Sequence, residues 1–486
     1  MPTLAEILQQ SWQVHQSGNV DAAMQMYRGV LRQVPNSADA WVYLGIAQFD
    51  KRDFTGAVDS YQKAIDLRSN FPIAWNNLGN AFRMIGQVDQ AEASFAKAME
   101  LQPGYLSAIK NRGTLWIWNG EIERGLKWYE EGLAIQPDNA ELHRNLGVIS
   151  LLLGDYDRGW NEYRWRWRMP GVGRPAITDH LRSAGGHVPV WSGQPLAGKT
   201  VLIYPEQGLG DAIHFLRVAA ALAQDGAHVM VVCPPKMIPL FSSAVGPSGL
   251  GIERLIPDID AQSGLMSLPA GVEIDYQGSF LEVLDGLYQR DGKLYDGSDL
   301  FQRNESDHWA GYLSVPESTV HYWANFLQPL KQPGKKLIGL NWQGNPEHHA
   351  DVYRSVPLET FRPLIEMPNL ESISLQFGHG SEQLEQSDLG SSIHRLPDDI
   401  DQSGGQFVDT AAVLCNLDAL VTTDTAIAHL AGSLGVRTIL LLGKVPDWRW
   451  LRSGETTVWY PSVEIVRQTE LGDWKPCLET VLSKLA

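Results

Sequence analysis

The first third of the chain carries a pattern of small, aromatic and breaker positions that recurs every 34 residues. Gly45 is followed at that offset by Gly79, Gly113 and Gly147, and Ala23 by Ala57, Ala91, Gly125 and Gly159. Tyr27 leads in the same way to Tyr61, Phe95, Tyr129 and Tyr163, and Trp41 to Trp75. Pro35 maps onto Pro103 and Pro137, with Ser69 standing in once. A period of this length predicts stacked supersecondary units, none able to bury its apolar face alone. Each unit reads as two antiparallel helices. The small residues let the pair approach, the aromatic fills the gap to the next repeat, and proline ends the second helix because it cannot continue the hydrogen-bond ladder.

After the repeats the texture changes. Residues 171–198 are rich in Pro, Gly and Ser without periodicity and read as a linker. Thr200–Tyr204 and Ala227–Val232 are short apolar strands that bracket a Gly turn and a helical pattern over Asp211–Gln224, hence a βαβ unit and a parallel sheet. A second series begins at Lys336. Its strands are Leu337–Trp342, Leu370–Gln376, Leu417–Thr423 and Arg437–Leu442, and its helices Leu358–Met367, Phe407–Cys415, Thr425–Leu434 and Trp474–Leu485. Lys331–Lys336, with Pro333 and Gly334, reads as a hinge. The expected organisation is repeats over 1–170, a linker over 171–198, one α/β domain over 199–332 and a second over 333–486.

The repeat resembles the tetratricopeptide repeat, in five copies over Thr3–Met169. The last copy departs from the pattern. Trp160, Tyr163, Trp165 and Trp167, interleaved with Arg164, Arg166 and Arg168, read as an end that docks on the following domain. Asn77, Asn111 and Asn145 share one register of the first helix, which in this family lines the concave face. A carboxamide both donates and accepts, so it bridges the N–H and C=O of an extended peptide without reading its sequence. This resembles the asparagine ladder of O-GlcNAc transferase and marks the three as candidate peptide-binding residues. The alternative is that they are tolerated surface positions, and Tyr43 and Gln9 break the ladder at its N-terminal end.

Charge narrows the partners. Lys and Arg number 39 and Asp and Glu 56, a net −17, which disfavours nucleic-acid and anionic-membrane binding. Cys233, Cys415 and Cys477 stand far apart, so neither a disulfide framework nor a Cys-based metal site is expected. The first residues lack a basic cluster followed by an apolar core, and no apolar run reaches the ~18–20 residues of a membrane span. A cytoplasmic protein is the expectation.

In doubly wound sheets ligands bind beyond the carboxyl ends of strands, so the candidate chemistry is sought there. In Glu206-Gln207-Gly208-Leu209-Gly210-Asp211, Gly208 and Gly210 let backbone amides approach an anion at a helix N-terminus. Ile213 replaces the third glycine of a dinucleotide fingerprint, which disfavours NAD. Asp211 reads either as a helix N-terminal carboxylate or as a general base. Asp424, Thr425 and His429 bring carboxylate, hydroxyl and imidazole to one helix start, where a diphosphate would sit; ordinary capping and a satisfied histidine are the alternative. Arg354, after the strand ending at Trp342, offers a forked cation to phosphate. Pro446-Asp447-Trp448-Arg449-Trp450 sets aromatic planes beside charges, suited to a sugar or base or to packing between domains. Trp342, Gln376, Asp447 and Trp448 are the candidate sugar or base contacts. Asp258-Ile259-Asp260, Asp399-Ile400-Asp401 and His348-His349 are read as solvated loop residues, and no metal is expected.

These segments, above all Glu206–Asp211, Asp424–Leu434 and Pro446–Trp450, resemble glycosyltransferase family 9, the heptosyltransferase-like family, in its subgroup fused to tetratricopeptide repeats. The resemblance implies an α-solenoid followed by a GT-B fold of two Rossmann-like domains. It implies a metal-independent, cofactor-free inverting transfer of sugar from a nucleotide-sugar to an acceptor hydroxyl. It assigns Asp211 as base, and Gly208, Gly210, Arg354, Asp424, Thr425, Ala426 and His429 to the donor. Ala426 stands where heptosyltransferases have Gly, which argues against heptose as the sugar. The expected acceptor is a polypeptide held by the repeats. The alternatives are a saccharide or lipopolysaccharide acceptor, or a scaffold whose transferase-like domain only binds.

Overall fold

The computed structural model describes residues 3–172, 188–258, 268, 271–303, 309–348 and 350–486. Most of the linker expected over 171–198, the Ile259-Asp260 half of one acidic pair, and His349 lie outside the described residues. The chain forms two compact units, Met1–Pro170 and Gly171–Ala486.

The first unit is five helical hairpins: α1 (Leu4–Gln16) with α2 (Val20–Gln33), α3 (Ala38–Asp50) with α4 (Phe54–Leu67), α5 (Pro72–Met84) with α6 (Val88–Leu101), α7 (Leu106–Trp118) with α8 (Ile122–Ile135), and α9 (Ala140–Leu152) with α10 (Tyr156–Tyr163). Local sequence fixes their starts. Asn19, Ser37, Asp53, Asn139 and Asp155 each accept a backbone N–H of the following first turn, and Thr3 with Glu6 closes a capping box. Inside each hairpin the turn needs a left-handed residue. Gly18, Gly86, Gly120 and Gly154 supply it, and in the second repeat Arg52 takes φ 62° in the glycine's place. First helices of successive repeats pack on one another, α1 on α3, α3 on α5 and α5 on α7, and so form the inner rail of the solenoid.

The aromatic register serves two contacts. Tyr61, Phe95 and Tyr129 are buried against the glycine of their own repeat, and Tyr61 and Phe95 also share core clusters with the next repeat, Tyr61 with Ala74, Leu78 and Ala81 and Phe95 with Leu115 and Trp116. A Cβ on Gly45 or Gly79 would lie 2.6 Å from the facing ring, and on Gly113 2.8 Å. The glycine thus makes a ring-sized hole at the hairpin crossing. Tyr27 stacks its ring on the next repeat, 5.6 Å from that of Tyr43. Gly79→Val fills the hole twice. It is expected to cost about 1–3 kcal/mol, read as a lower midpoint for repeat unfolding in urea. The Trp-rich end is also used within the unit. Trp160 is buried, Trp165 stacks on His143 at 4.0 Å, and Arg168 covers Trp165. A 3-10 turn over Arg164–Arg168 follows α10, and the buried Arg166 lies over Tyr163 and Trp167.

The second unit holds two parallel sheets. The first has strands β1 (Thr200–Tyr204), β2 (His228–Cys233), β3 (Ile252–Pro257) and β4 (Tyr276–Ser279) in the order β3-β2-β1-β4. A short antiparallel pair follows, β5 (Gln302–Arg303) with β6 (Trp309–Ala310). The second sheet has β7 (Lys336–Asn341), β8 (Leu370–Ser374), β9 (Ile393–His394), β10 (Ala419–Thr423), β11 (Thr438–Leu442) and β12 (Val463–Arg467), ordered β12-β11-β10-β7-β8-β9. All its pairings are parallel, and its strands carry runs of buried aliphatics, as a sheet covered on both faces requires. The strand order reverses direction beside β1 and again between β7 and β10, which opens a crevice at each carboxyl end.

Two expected helices are broken. The Asp211–Gln224 pattern becomes α11 (Leu209–Phe215) and α12 (Val218–Gln224), parted at Arg217, whose guanidinium donates to the His214 carbonyl. The Leu358–Met367 pattern restarts at Arg362–Ile365, because Pro363 has no N–H to give. Of the remaining helices, α13 (Phe280–Asp291) and α14 (Glu317–Leu327) were not expected. The others, α15 (Val408–Leu414), α16 (Ala426–Leu434) and α17 (Lys475–Leu485), fall where the pattern places them. The helix α14 lies on α15, with Trp323 donating to Asp409 at 2.9 Å and Asn416 to the Val320 carbonyl. Packing around the second sheet therefore starts ahead of residue 333.

Candidate functional site

Two helices that open directly after strands, α11 after β1 and α16 after β10, cross at their N-termini. Gly210 makes the crossing: a Cβ there would lie 3.2 Å from the His429 ring and 3.3 Å from the Ala426 backbone. The missing side chain at Gly210 is therefore required by the packing of the two helices. Gly208 faces open space, with nothing within 4 Å of a Cβ built on it.

Asp211, in the first turn of α11, points across this junction. Arg449, from the turn after β11, forms an ion pair with Asp211 at 2.8 Å and donates to Asp447 at 2.6 Å and to Gln207 at 3.1 Å. Burial pushes the Asp211 carboxyl up to about 6. Arg449 pulls the other way, and the nearby carboxylates Asp447, Glu206 and Asp424 add to the rise. Asp424 accepts from the Trp450 indole at 2.9 Å. Burial and the charge of Asp447 raise its carboxyl, and Arg354 opposes them. Burial also acts on Asp447, but Arg449 outweighs it and holds that carboxyl low. The pair is thus split: Asp447 keeps the charge and Asp424 holds its proton more firmly.

Thr425 does not present a free hydroxyl proton, since it donates to Asn341 at 2.8 Å. Its lone pairs and the amides opening α16 remain. Arg354 is partly exposed, its guanidinium beside Gly344 and 3.8 Å from Asp351. The turn carrying Arg449 is held under strain. Leu451 sits at φ 56°, and Arg467 clamps the carbonyls of Trp450 at 2.7 Å and Leu451 at 3.0 Å.

Several expected contacts are buried instead. His429 is 5% exposed, stacks on Trp450 at 5.1 Å, and shares hydrogen bonds with His214 (3.0 Å) and Tyr460 (3.1 Å). Burial lowers its imidazole to about 3, with Arg449 adding to the effect, so it is neutral near pH 7 and brings no cation to a phosphate. Trp342 is fully buried and donates to the Gly380 carbonyl. Trp448 is buried against Phe215, the rings 6.0 Å apart. Gln376 spends its amide on the backbones of Trp342, Gln343 and His379. These three are packing and loop-holding residues, because their polar atoms are already matched inside the fold. Among the candidate sugar or base contacts only Asp447 stays at the surface of the crevice, its side chain 36% exposed.

Arg449, Gln207, Tyr460 and His214 are the members of this cluster to which the sequence reading gave no role. Three of them lie inside segments that the sequence singles out, Gln207 in the glycine turn, Arg449 in the Pro446–Trp450 turn and Tyr460 in Trp459-Tyr460-Pro461, which follows it. In the first unit, Asn111 donates to Asn76 at 2.9 Å and Asn76 to Asn77 at 3.2 Å, while Arg144 donates to Asn145 at 3.0 Å. The three expected carboxamides are half-buried on the inner rail, and Asn76 links two of them.

The first unit is a solenoid of tetratricopeptide repeats, an architecture that serves as a protein-interaction scaffold. A family model described as TPR repeat matches residues 47–86, and one described as Tetratricopeptide repeat matches residues 72–105. The chain is 26% identical over 314 residues to Protein FlbA of Caulobacter vibrioides, covering 61% of this chain and 48% of that protein. It therefore spans about half the length of this curated relative. Among solved structures, MamA is 22% identical with a TM-score of 0.29, over 36% of this chain and 97% of that one. A thermophilic TPR protein of Thermus thermophilus is 19% identical with a TM-score of 0.32, over 37% and 95%. Among the described residues no helix is long and apolar enough to cross a membrane, and no group of three or more His, Cys, Asp or Glu is arranged to hold a metal ion.

Proposed function

We propose that the α/β unit is a GT-B glycosyltransferase similar to family 9, and that the repeats hold its acceptor, a polypeptide. The observation that carries this reading is Asp211: a carboxyl raised to about 6, at the start of a helix after β1, facing the loops that follow β10 and β11. That value suits a base working near neutral pH. Asp211 takes the proton of the acceptor hydroxyl as its oxygen bonds to the anomeric carbon. The bond from that carbon to the diphosphate oxygen breaks, and the sugar configuration inverts. Arg354 and the amides opening α16 stabilise the departing charge. His429, being neutral, contributes shape and not charge. Arg449 pairs with Asp211 and partly offsets the rise in proton affinity that burial causes.

A second reading, a scaffold that binds a nucleotide-sugar without turning it over, is favoured by one observation. Arg449 already engages Asp211, and four residues assigned to the donor or its sugar are packed away. The decisive measurement is nucleotide release from a panel of nucleotide-sugars, with and without candidate acceptors. Release with at least one donor is expected. Binding of several donors with release from none replaces the enzyme reading by the scaffold.

A further inference from the structure

Three buried polar atoms meet where α11 and α16 cross. His214 Nδ1, from the last turn of α11, lies 3.0 Å from Nδ1 of His429 in α16. The Tyr460 hydroxyl, from the loop before β12, lies 2.8 Å from the first and 3.1 Å from the second. His214 and Tyr460 are fully buried, and His429 is nearly so. Burial lowers both imidazoles, so each is neutral near pH 7 and carries a single proton. The two facing nitrogens cannot both hold a proton, because the protons would clash. Nor can both lack one, because their lone pairs would repel. One Nδ1 therefore donates and the other accepts.

The other ring nitrogens decide which. His214 Nε2 is enclosed and has no hydrogen-bond partner among the described residues. A proton there would make a buried donor without an acceptor, which folded proteins rarely keep; a bare acceptor is tolerated more often. The proton of His214 therefore belongs on Nδ1. His429 Nδ1 then accepts, from His214 and from the Tyr460 hydroxyl, and its own proton stands on Nε2. Both hydrogen bonds that His429 makes among the described residues use Nδ1, which leaves the Nε2–H to give. The ring edge next to Nε2 lies 3.2 Å from a Cβ built on Gly210, one residue ahead of Asp211. Trp450 stacks on the same ring and gives its indole N–H to Asp424 at 2.9 Å. The donor thus stands between the helix start that carries Asp211 and the one that Asp424 precedes.

We infer that His214 and Tyr460 are positioning residues for the transfer proposed above: they hold His429 as its Nε2–H tautomer, which donates to the departing diphosphate. This rests on the reading of the α/β unit as a transferase, and it gives His429 a dipole where it brings no charge. A fixed donor aimed at developing negative charge needs no reorganisation as the bond to the anomeric carbon breaks. The other tautomer would turn a lone pair toward the phosphate and oppose it.

The tautomer is read in the full chain carrying ¹⁵N-labelled histidine, by long-range ¹H–¹⁵N spectra near pH 7. The His429 signal is identified by its loss in His429→Gln. An Nε2–H pattern is expected, and an Nδ1–H pattern overturns the assignment while leaving the transferase reading standing. Function is read as nucleotide release in two variants that both lose the hydroxyl. Tyr460→Phe/His214→Asn keeps one donor, because the Asn amide nitrogen falls near the place of Nδ1. Tyr460→Phe/His214→Leu keeps none and is expected to release nucleotide about tenfold more slowly than the Asn variant, a share of what a transition-state donor supplies. The gap should vanish when His429→Gln is added to both, since it acts only through that ring. Equal rates in the two variants, both folded by circular dichroism, overturn the positioning role. An Nε2–H pattern with no release from any nucleotide-sugar by the unmodified protein overturns the transferase reading and the positioning role with it.

Discussion

Asp211→Asn is expected to keep nucleotide-sugar affinity within about twofold and to cut transfer by about 10²–10⁴-fold, the range a positioned base supplies. The substitution is nearly isosteric, and its carbonyl keeps a partial negative charge toward the guanidinium that pairs with Asp211. What it removes is the proton acceptor alone. The pH profile adds a second signature. The folded Asp211 carboxyl titrates at about 6, above its ordinary 3.8, so the ionised, base-competent form fills as pH rises through about 6. Transfer by the unmodified protein should rise tenfold per pH unit below that point and level off above it, whereas the residual rate of the Asn variant should lack this limb. Donor affinity is read by calorimetry and transfer by product mass. An unchanged rate would remove Asp211 from the mechanism, and a lost donor affinity would make it a binding residue.

The helical half was legible because a 34-residue period repeats the same chemical demand five times. Gly45, Gly79 and Gly113 are forced by the rings opposite them, so the register that shows in the sequence is the register of the hairpin crossings. One further register was present and unread. Gly18, Gly86, Gly120 and Gly154 mark the left-handed turn residue, and Arg52 occupies it in the second repeat. The strands β1, β7, β8, β10 and β11 were legible as apolar runs. The strand β3, Ile-Glu-Arg-Leu-Ile-Pro, was not, since it is an edge strand and carries exposed polar side chains.

At the site, sequence reasoning placed Asp211 and Asp424 beside strand-to-helix turns, where the structure also has them, because such turns are local. It failed where burial decides. Nothing in the letters distinguishes a Trp that faces a ligand from one that fills a core, and Trp342 and Trp448 turned out to be the second kind. The same holds for His429. Its spacing from Thr425 put it on the expected helix, but its partners, His214 and Tyr460, come from residues 215 and 31 positions away. Burial, with the charge of Arg449 adding to it, sets its protonation, and the spacing does not.

Arg217 marks the largest expected loss of stability. Its side chain is fully buried, and it donates to the carbonyls of His214 (2.8 Å), Asp296 (2.6 Å) and Trp459 (2.7 Å) and to the Tyr312 hydroxyl. The rings of Tyr460, Tyr312, Trp459 and Phe301 surround the guanidinium within 6 Å. One side chain thus ties the α11–α12 junction to the loop before β5 and to the loop before β12. Arg217→Leu keeps apolar bulk but leaves the Asp296 and Trp459 carbonyls without this donor in an interior where water does not replace it. A cost of about 3–5 kcal/mol is expected, as for removing one partner of a buried charged network. That is a large share of the about 5–15 kcal/mol that holds a typical domain folded. Arg217→Lys should recover little, because an ammonium cannot reproduce the planar fork that reaches three carbonyls. The half-buried surface Arg362, paired with Glu359, Glu366 and Asp388, is the control, and Arg362→Gln should stay within about 1 kcal/mol of the unmodified protein. Urea unfolding followed by tryptophan fluorescence separates the cases, since Trp459 lies against the guanidinium. If Arg217→Leu unfolds at the same urea concentration as Arg362→Gln, the buried arginine does not hold these loops together.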